Sequence, residues 1–224
     1  MNDRLRTIEK YNLHIYDEFK VDGPFQMPVI DRENIIPDKL IGFNYMLTAK
    51  DKYVGVHMYV DDYQFERLWN TPEKYTDKLK EFECVFTPDF SLYMDMPLAM
   101  KIWNVYRSRL LGQYWQSQGI KVIPTISWAE PETYNFCFDG IEKESIVSIS
   151  TVGVKNSERS IKIWKDGVGE MIKRIDPYAI LIYGEPIEFD FKGIPVFYYD
   201  NEVIKRLRKI EVKNGWTRSK QWNK

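Results

Sequence analysis

A chain of 224 residues, with 44% hydrophobic and 29% charged residues, has the composition of an ordinary soluble protein and the length for one domain with a small appendage. No run approaches the roughly 18 apolar residues of a membrane span, and the N-terminal MNDRLRTIEKYNLH lacks the apolar core of a signal peptide, so a cytoplasmic protein with no membrane partner is expected. The net charge of −1 conceals an asymmetry: Lys205 to Lys224 carries eight Lys or Arg against Glu211, a net +7, which leaves −8 for the rest.

Residues 1–39 mix charges with Pro24, Pro28 and Pro37 and read as an N-terminal wrap. LIGFNYML (40–47) and VGVHMYV (54–60) read as strands; their short linker predicts a hairpin, or strands that are not neighbours. A helix follows Asp61–Asp62, with Phe65, Leu68 and Trp69 on one side. Thr71–Pro72 then caps another that runs to about Phe82.

The stretch from Cys84 to Trp128 is a β-α-β unit. The apolar run 84–87 leads through a loop bearing Asp89, Ser91 and Asp95 to Pro97, which opens a helix. Leu98, Ile102, Val105, Tyr106, Leu110 and Tyr114 recur at helical spacing, and Leu98, Ile102 and Leu110 are expected to face the sheet. Arg107 and Arg109 are expected on the solvated side. Gly119 suits the helix stop, and 121–127 is the next apolar run.

Pro131 and Gly140 suit the ends of a further helix, and 145–150 is β-rich. TVGVKN then leads, with Asn156 or Ser157 as cap, into an amphipathic helix bearing Ile161, Trp164, Val168, Met171, Ile172 and Ile175. YAILIY (178–183) is apolar throughout, as a strand covered on both faces should be. Ile194 to Tyr198 is the last strand, and 201–210 the last helix.

The sum is a single α/β domain over residues 40–210 followed by a basic tail, 211–224. Repeated strand–helix units wound one way give a mainly parallel sheet that is barrel-like, as a complete or partial α/β barrel; a reversal of strand order would give an open doubly wound sheet. Cys84 and Cys137 lie in apolar runs and read as buried free thiols, and with His14 and His57 they show no zinc spacing.

In parallel α/β folds ligands bind beyond the carboxyl ends of the strands. Those ends carry Asp61, Asp89, Glu130 and Glu185 as candidate catalytic carboxylates, able to share acid and base roles or to hold Mg²⁺ or Mn²⁺ through oxygen. Ser91, Trp128, Thr151, Lys155 and Asp200 are candidate ligand-binding residues. Asp62 and Asp95 read more naturally as helix caps, and Asp89 as a turn residue after proline. Phosphate chemistry has little support: neither a Walker A nor a G-x-G-x-x-G sequence occurs, Gly153 is a single loop glycine, and the GVGE run at 167–170 marks close helix packing or a kink.

The tail combines Lys205, Arg206, Arg208, Lys209, Arg218 and Lys220 with Trp216, a composition suited to phosphates and stacked bases as well as to a solvated end. Three classes of function follow: a protein that binds or acts on nucleic acid or nucleotides; a metal-dependent hydrolase using the carboxylate face; and a non-catalytic protein that captures a ligand or a host protein.

The segments DDYQFERLWN, the run from TPDFSLYMDMPLAMKIWNVYRSRLL to TYNFCFDGI, SISTVGVKN and LIYGEP, in that order over roughly residues 40 to 200, resemble an uncharacterised family of proteins from bacteria, phages and other mobile elements. The resemblance implies work inside a bacterial cell as phage, prophage or plasmid cargo. It brings no established activity, cofactor or catalytic residue.

Overall fold

The computed structural model describes residues 3–200. The expected helix at 201–210 and the candidate residues Lys205, Arg206, Arg208, Lys209, Trp216, Arg218 and Lys220 lie outside the described residues. The N-terminal segment contains helix α1 (Asp3–Lys10) and a short antiparallel ribbon of β1 (Val21–Asp22) and β2 (Met27–Pro28). It packs down hard: Met27 and Ile30 are fully buried. A Cβ on Gly112, in the central helix, would fall 2.6 Å from Ile30 Cδ1, so glycine permits the close approach.

The remaining strands are all parallel. β3 (Leu40–Gly42), β4 (Gly55–His57), β5 (Cys84–Phe86) and β6 (Val122–Ile123) form a four-stranded sheet; β7 (Ile146–Ser150), β8 (Ala179–Tyr183) and β9 (Val196–Tyr199) form a three-stranded one. Strand order within each sheet follows the chain without reversal, so the doubly wound alternative does not describe it. The expected single sheet is interrupted after β6, where Pro124 has no N–H to give a ladder. A parallel bridge between Thr125 and Ser148 spans the interruption, with Ser148 N donating to Pro124 O at 2.9 Å and Ile126 N to Ser148 O at 2.8 Å. The expectation of a complete barrel is corrected: among the described residues no ladder joins β9 to β3. The Tyr199 hydroxyl instead donates to Pro37 O at 2.6 Å, just ahead of β3.

The hairpin expected at residues 40–60 is also corrected. β3 ends at Gly42, and the 3₁₀ helix Phe43–Thr48 makes the crossover to a parallel neighbour, β4. A 3₁₀ turn superposes positions three apart, which sends both Phe43 and Met46 into the core with Val54, Val56 and Met58. Pro131–Asn135 is likewise a 3₁₀ turn instead of a longer helix, although Gly140 does adopt the positive φ (74°) of a stop.

Side chains alternate along each strand, and the alternation sorts the cores. Val56, Val85 and Val122 join one helix-facing cluster; Val147, Ile149, Ile180 and Ile182 join another. The opposite faces of both sheets meet in a shared cluster of Cys84, Phe86, Ile123, Ile146, Ala179 and Leu181, with Leu40, Tyr59 and Tyr199 packed against it. Helices α2 (Asp62–Asn70), α3 (Thr76–Leu79), α4 (Leu98–Ser117) and α5 (Glu158–Ile175) complete the described fold. In α5 the apolar face is the expected one, capped by Ser157, whose Oγ accepts from Ser160 N at 3.0 Å.

Helix α4 differs from expectation. Leu98 is 44% exposed, whereas Arg109 is 1% exposed and Arg107 is also buried. The reason is hydrogen bonding. Arg109 donates from Nε, Nη1 and Nη2 to the carbonyls of Asp139, Thr125 and Cys137 at 3.1, 3.0 and 2.8 Å. Arg107 reaches Glu66 at 2.6 Å and Asn104 Oδ1 at 2.8 Å, with its guanidinium 3.8 Å from the centre of the Phe90 ring. A guanidinium can be buried when its fork is satisfied as that of Arg109 is. Arg107 is bonded through Nη1 and Nη2, while its buried Nε has no hydrogen-bond partner among the described residues.

Candidate functional site

The parallel ladder brings the carboxyl ends of β4, β5, β6 and β7 to one edge, and a cavity of about 510 Å³ opens there. Each strand end sends residues to its wall: Tyr59, Asp61 and Asp62 after β4; Asp89, Ser91 and Tyr93 after β5; Ser127 and Trp128 after β6; Ser150 and Val152–Val154 from β7 onward. Helix α5 closes the side with Ser160, Ile163 and Trp164.

Asp89 is half-buried and accepts a hydrogen bond from the Ser127 hydroxyl. Burial drives its carboxyl upward, the Ser127 contact offsets part of the rise, and the nearby Asp62 charge adds to it, leaving the group at about 6. Asp62 does not cap α2. Its two oxygens accept from Ser91 N at 3.0 Å and Ser91 Oγ at 2.9 Å, holding the loop after β5 against the helix after β4. Asp61 is exposed at the rim.

Tyr59 stands beneath these carboxylates. Its hydroxyl pairs with Ser148 Oγ, and its ring stacks on Tyr183 at 4.9 Å and 11°. Burial, then the charge of Asp89, keeps the phenol firmly protonated. His57 lies below, 4.4 Å from the Tyr183 ring, with Nδ1 accepting from Tyr59 N at 3.1 Å. Burial lowers it to about 3, so the imidazole is neutral near pH 7. Burial also pushes the free thiols Cys84 and Cys137 up to about 12, and neither is a thiolate at neutral pH.

Of the candidates drawn from the sequence, Asp61, Asp89, Ser91 and Trp128 share this cavity. The others lie elsewhere. Glu130 is engaged by Lys101, whose Nζ is 2.6 Å from each carboxylate oxygen. Glu185 and Lys155 pair at 3.3 Å across half-exposed side chains. Thr151 donates from Oγ1 to Glu185 O at 2.8 Å and ties the ends of β7 and β8 together. Asp200 is exposed beyond β9. Among the described residues no group of three or more His, Cys, Asp or Glu is placed to hold a metal ion, and no helix is long and apolar enough to cross a membrane.

Tyr59, Ser150, Ser160 and Trp164 are wall residues that reading strand ends alone does not find. A signal for Tyr59 exists in the alternation of 55–60, where His57 and Tyr59 occupy the face opposite Val56, Met58 and Val60.

Fold and site together define a parallel α/β protein with an acidic, aromatic-walled cavity at its strand ends. The chain belongs to the family described as "Domain of unknown function (DUF4417)", which matches residues 19–200. Among its relatives, it is 38% identical over 186 residues to the "Gene 1 protein" of Mycobacterium phage L5, covering 82% of this chain and 81% of that one. It is 35% identical over 209 residues to the "Gene 1 protein" of Mycobacterium phage D29, covering 91% and 76%. No solved structure matches.

Proposed function

We propose that the protein is a phage-type accessory protein that binds nucleic acid or nucleotides, and that the strand-end cavity receives one nucleoside unit. The observation that carries this reading is the cavity itself: Tyr59, Tyr93, Trp128 and Trp164 supply aromatic wall, and Asp61 and Asp89 supply acceptors for a polar ring edge. The basic segment that begins at Lys205 supplies, in sequence, the cationic charge a phosphate backbone needs. The same reading takes the two sheets as a partial α/β barrel, supported by the unreversed strand order and the inner cluster common to both.

Calorimetric titration of the full chain with nucleosides and with single-stranded oligonucleotides, over a range of salt, tests it. Expected are nucleoside binding that the cavity substitution Asp89→Asn weakens, and oligonucleotide binding that falls steeply with salt and loses slope when 214–224 is deleted. No binding of either ligand overturns it.

A second reading is favoured by one observation, the carboxyl of Asp89 at about 6. That value suits a general base near neutral pH. In this reading Asp89 takes a proton from water and the enzyme is a hydrolase. Its dependence on Mg²⁺ or Mn²⁺ is decided by titrating the protein with each ion.

A further inference from the structure

The walls of the cavity are unbalanced in hydrogen-bonding character. The side-chain donors are almost all committed within the protein. Ser91 Oγ donates to Asp62 at 2.9 Å, and Ser127 Oγ donates to Asp89. Ser150 Oγ donates to Tyr183 O at 3.3 Å. Trp128 Nε1 donates to Ile163 O at 3.1 Å, and Trp164 Nε1 to Ser150 O at 2.9 Å, so both indoles offer the cavity only ring. The Tyr59 hydroxyl is paired with Ser148, and that of Ser160 with Ser157 at 2.9 Å.

The acceptors are in surplus. Each carboxylate has about four lone-pair directions; Ser127 is the hydrogen-bond partner of Asp89 among the described residues, and it meets Oδ1 alone. Asp61 adds a second carboxylate at the rim, and among the described residues the lining holds no Lys, Arg or His. A ligand that fits such walls must bring donors and a flat face, and must leave anionic groups outside.

From this surplus we infer that the cavity selects a neutral planar heterocycle presenting adjacent N–H donors, the guanine-type edge, which Asp89 receives while any attached phosphate stays in solvent. The inference rests on the reading of the cavity as a nucleoside site and specifies which edge that site reads. Two parallel N–H donors meet a carboxylate in a fork, the strongest geometry a neutral ring can offer it. The raised pKa of Asp89 agrees: burial, offset only in part by Ser127, disfavours the ionised carboxylate, which a pair of added N–H donors would stabilise.

The test uses the full chain at pH 8, where Asp89 is ionised. Guanosine, inosine (no exocyclic amine), 1-methylguanosine (no ring N–H), guanosine 5′-monophosphate and benzamidine are titrated by calorimetry against the unmodified protein, Asp89→Asn and Lys143→Ala. Expected is guanosine binding that drops about tenfold or more for each analogue lacking a donor and for Asp89→Asn. The monophosphate should bind no tighter than guanosine, and Lys143→Ala, exposed and away from the cavity, should bind as the unmodified protein does. Circular dichroism and a cooperative melt confirm that each variant is folded. Nucleosides that bind equally well with and without the donors, or a monophosphate that binds tighter, overturn the inference and leave the nucleoside reading standing. Benzamidine binding without guanosine binding, or no binding by any of the five, overturns both.

Discussion

The ammonium of Lys101 lies 2.6 Å from both carboxylate oxygens of Glu130, and also 3.4 Å from Met94 O. Lys101 is 1% exposed, yet it sits in the first turns of α4 among residues that are open to solvent. One side chain thus fastens the loop after β6 to the loop after β5, and both of these loops line the cavity. Burial alone would raise Glu130, but hydrogen bonding and charge from Lys101 outweigh it and hold the carboxyl below its ordinary value.

The first prediction follows from that pair. Breaking a buried ion pair from the carboxylate side leaves an uncompensated ammonium, so Glu130→Gln should cost about 2–4 kcal/mol. Lys101→Met removes the buried charge itself and leaves Glu130 partly hydrated, so it should cost less than Glu130→Gln. Urea unfolding of the three proteins at pH 7 measures the difference. Two small and equal losses would mean that the pair is solvated.

Arg109 makes a second, independent prediction. Its guanidinium satisfies three carbonyls, those of Thr125, Cys137 and Asp139. Arg109→Met strands all three in the interior and should cost about 3 kcal/mol or more. Arg109→Lys should rescue little of this, because an ammonium cannot span the fork. Reversible thermal or urea unfolding reads both, and a lysine variant as stable as the parent would show that charge matters there and geometry does not.

These two residues also show where the sequence was readable. Strand positions were legible where apolar runs such as 179–183 are short, rich in isoleucine and bounded by turn residues, and the parallel pairing of β4 with β5, β5 with β6 and β7 with β8 followed from the helices between them. β3 and β4, joined through a 3₁₀ helix, read instead as a hairpin or as strands that are not neighbours. Helix α5 was legible because one face is apolar and the other charged. Helix α4 was not: it is buried on several sides, so its polar positions carry no information about exposure, and Lys101 and Arg109 look like surface charges until their partners are known. Four separate strand ends could be named in advance. That Asp61 and Asp89 share a cavity while Glu130 and Glu185 are drawn to lysines depends on side-chain partners distant in the chain, Lys101 and Lys155, which no local pattern encodes.

Gly167 and Gly169, two residues apart in α5, should respond oppositely to alanine. A Cβ on Gly167 would lie 2.0 Å from Trp128 Nε1, so Trp128 or the helix must move; nothing lies within 4 Å of a Cβ on Gly169. Gly167→Ala should therefore cost about 1–3 kcal/mol and should change Trp128 fluorescence, because that ring is part of the cavity wall. Gly169→Ala should stabilise by about 0.4–1 kcal/mol through the helix preference of alanine and a less flexible unfolded chain. Unfolding free energies of the two variants, measured side by side, check the sign of each.

The last prediction concerns Asp89 and pH. Its carboxyl stands at about 6 in the folded protein, above the ordinary value of 3.8. A group raised on folding binds its proton more tightly in the folded state, so its ionisation works against folding. Below the unfolded value both states are protonated and there is no penalty. Between about 4 and 6 the penalty grows as pH rises, and above 6 it is fully present. Asp62 across the loop, Ser127 on Oδ1, Tyr59 beneath and Asp61 at the rim are the polar groups around it. Asp89→Asn keeps the shape and removes the charge. At pH 7.5 the variant should be more stable than the parent by about 1–2 kcal/mol, and the advantage should shrink through pH 6 and vanish near pH 4. Urea unfolding at pH 7.5, 6 and 4.5 measures this, and the carboxyl carbon shift of Asp89 by NMR gives its titration directly. A variant less stable than the parent at pH 7.5 would show that the ionised carboxylate earns more from Ser127 than burial costs it. A variant that is more stable yet fails to bind guanosine would place Asp89 among residues kept for the ligand at the expense of the fold.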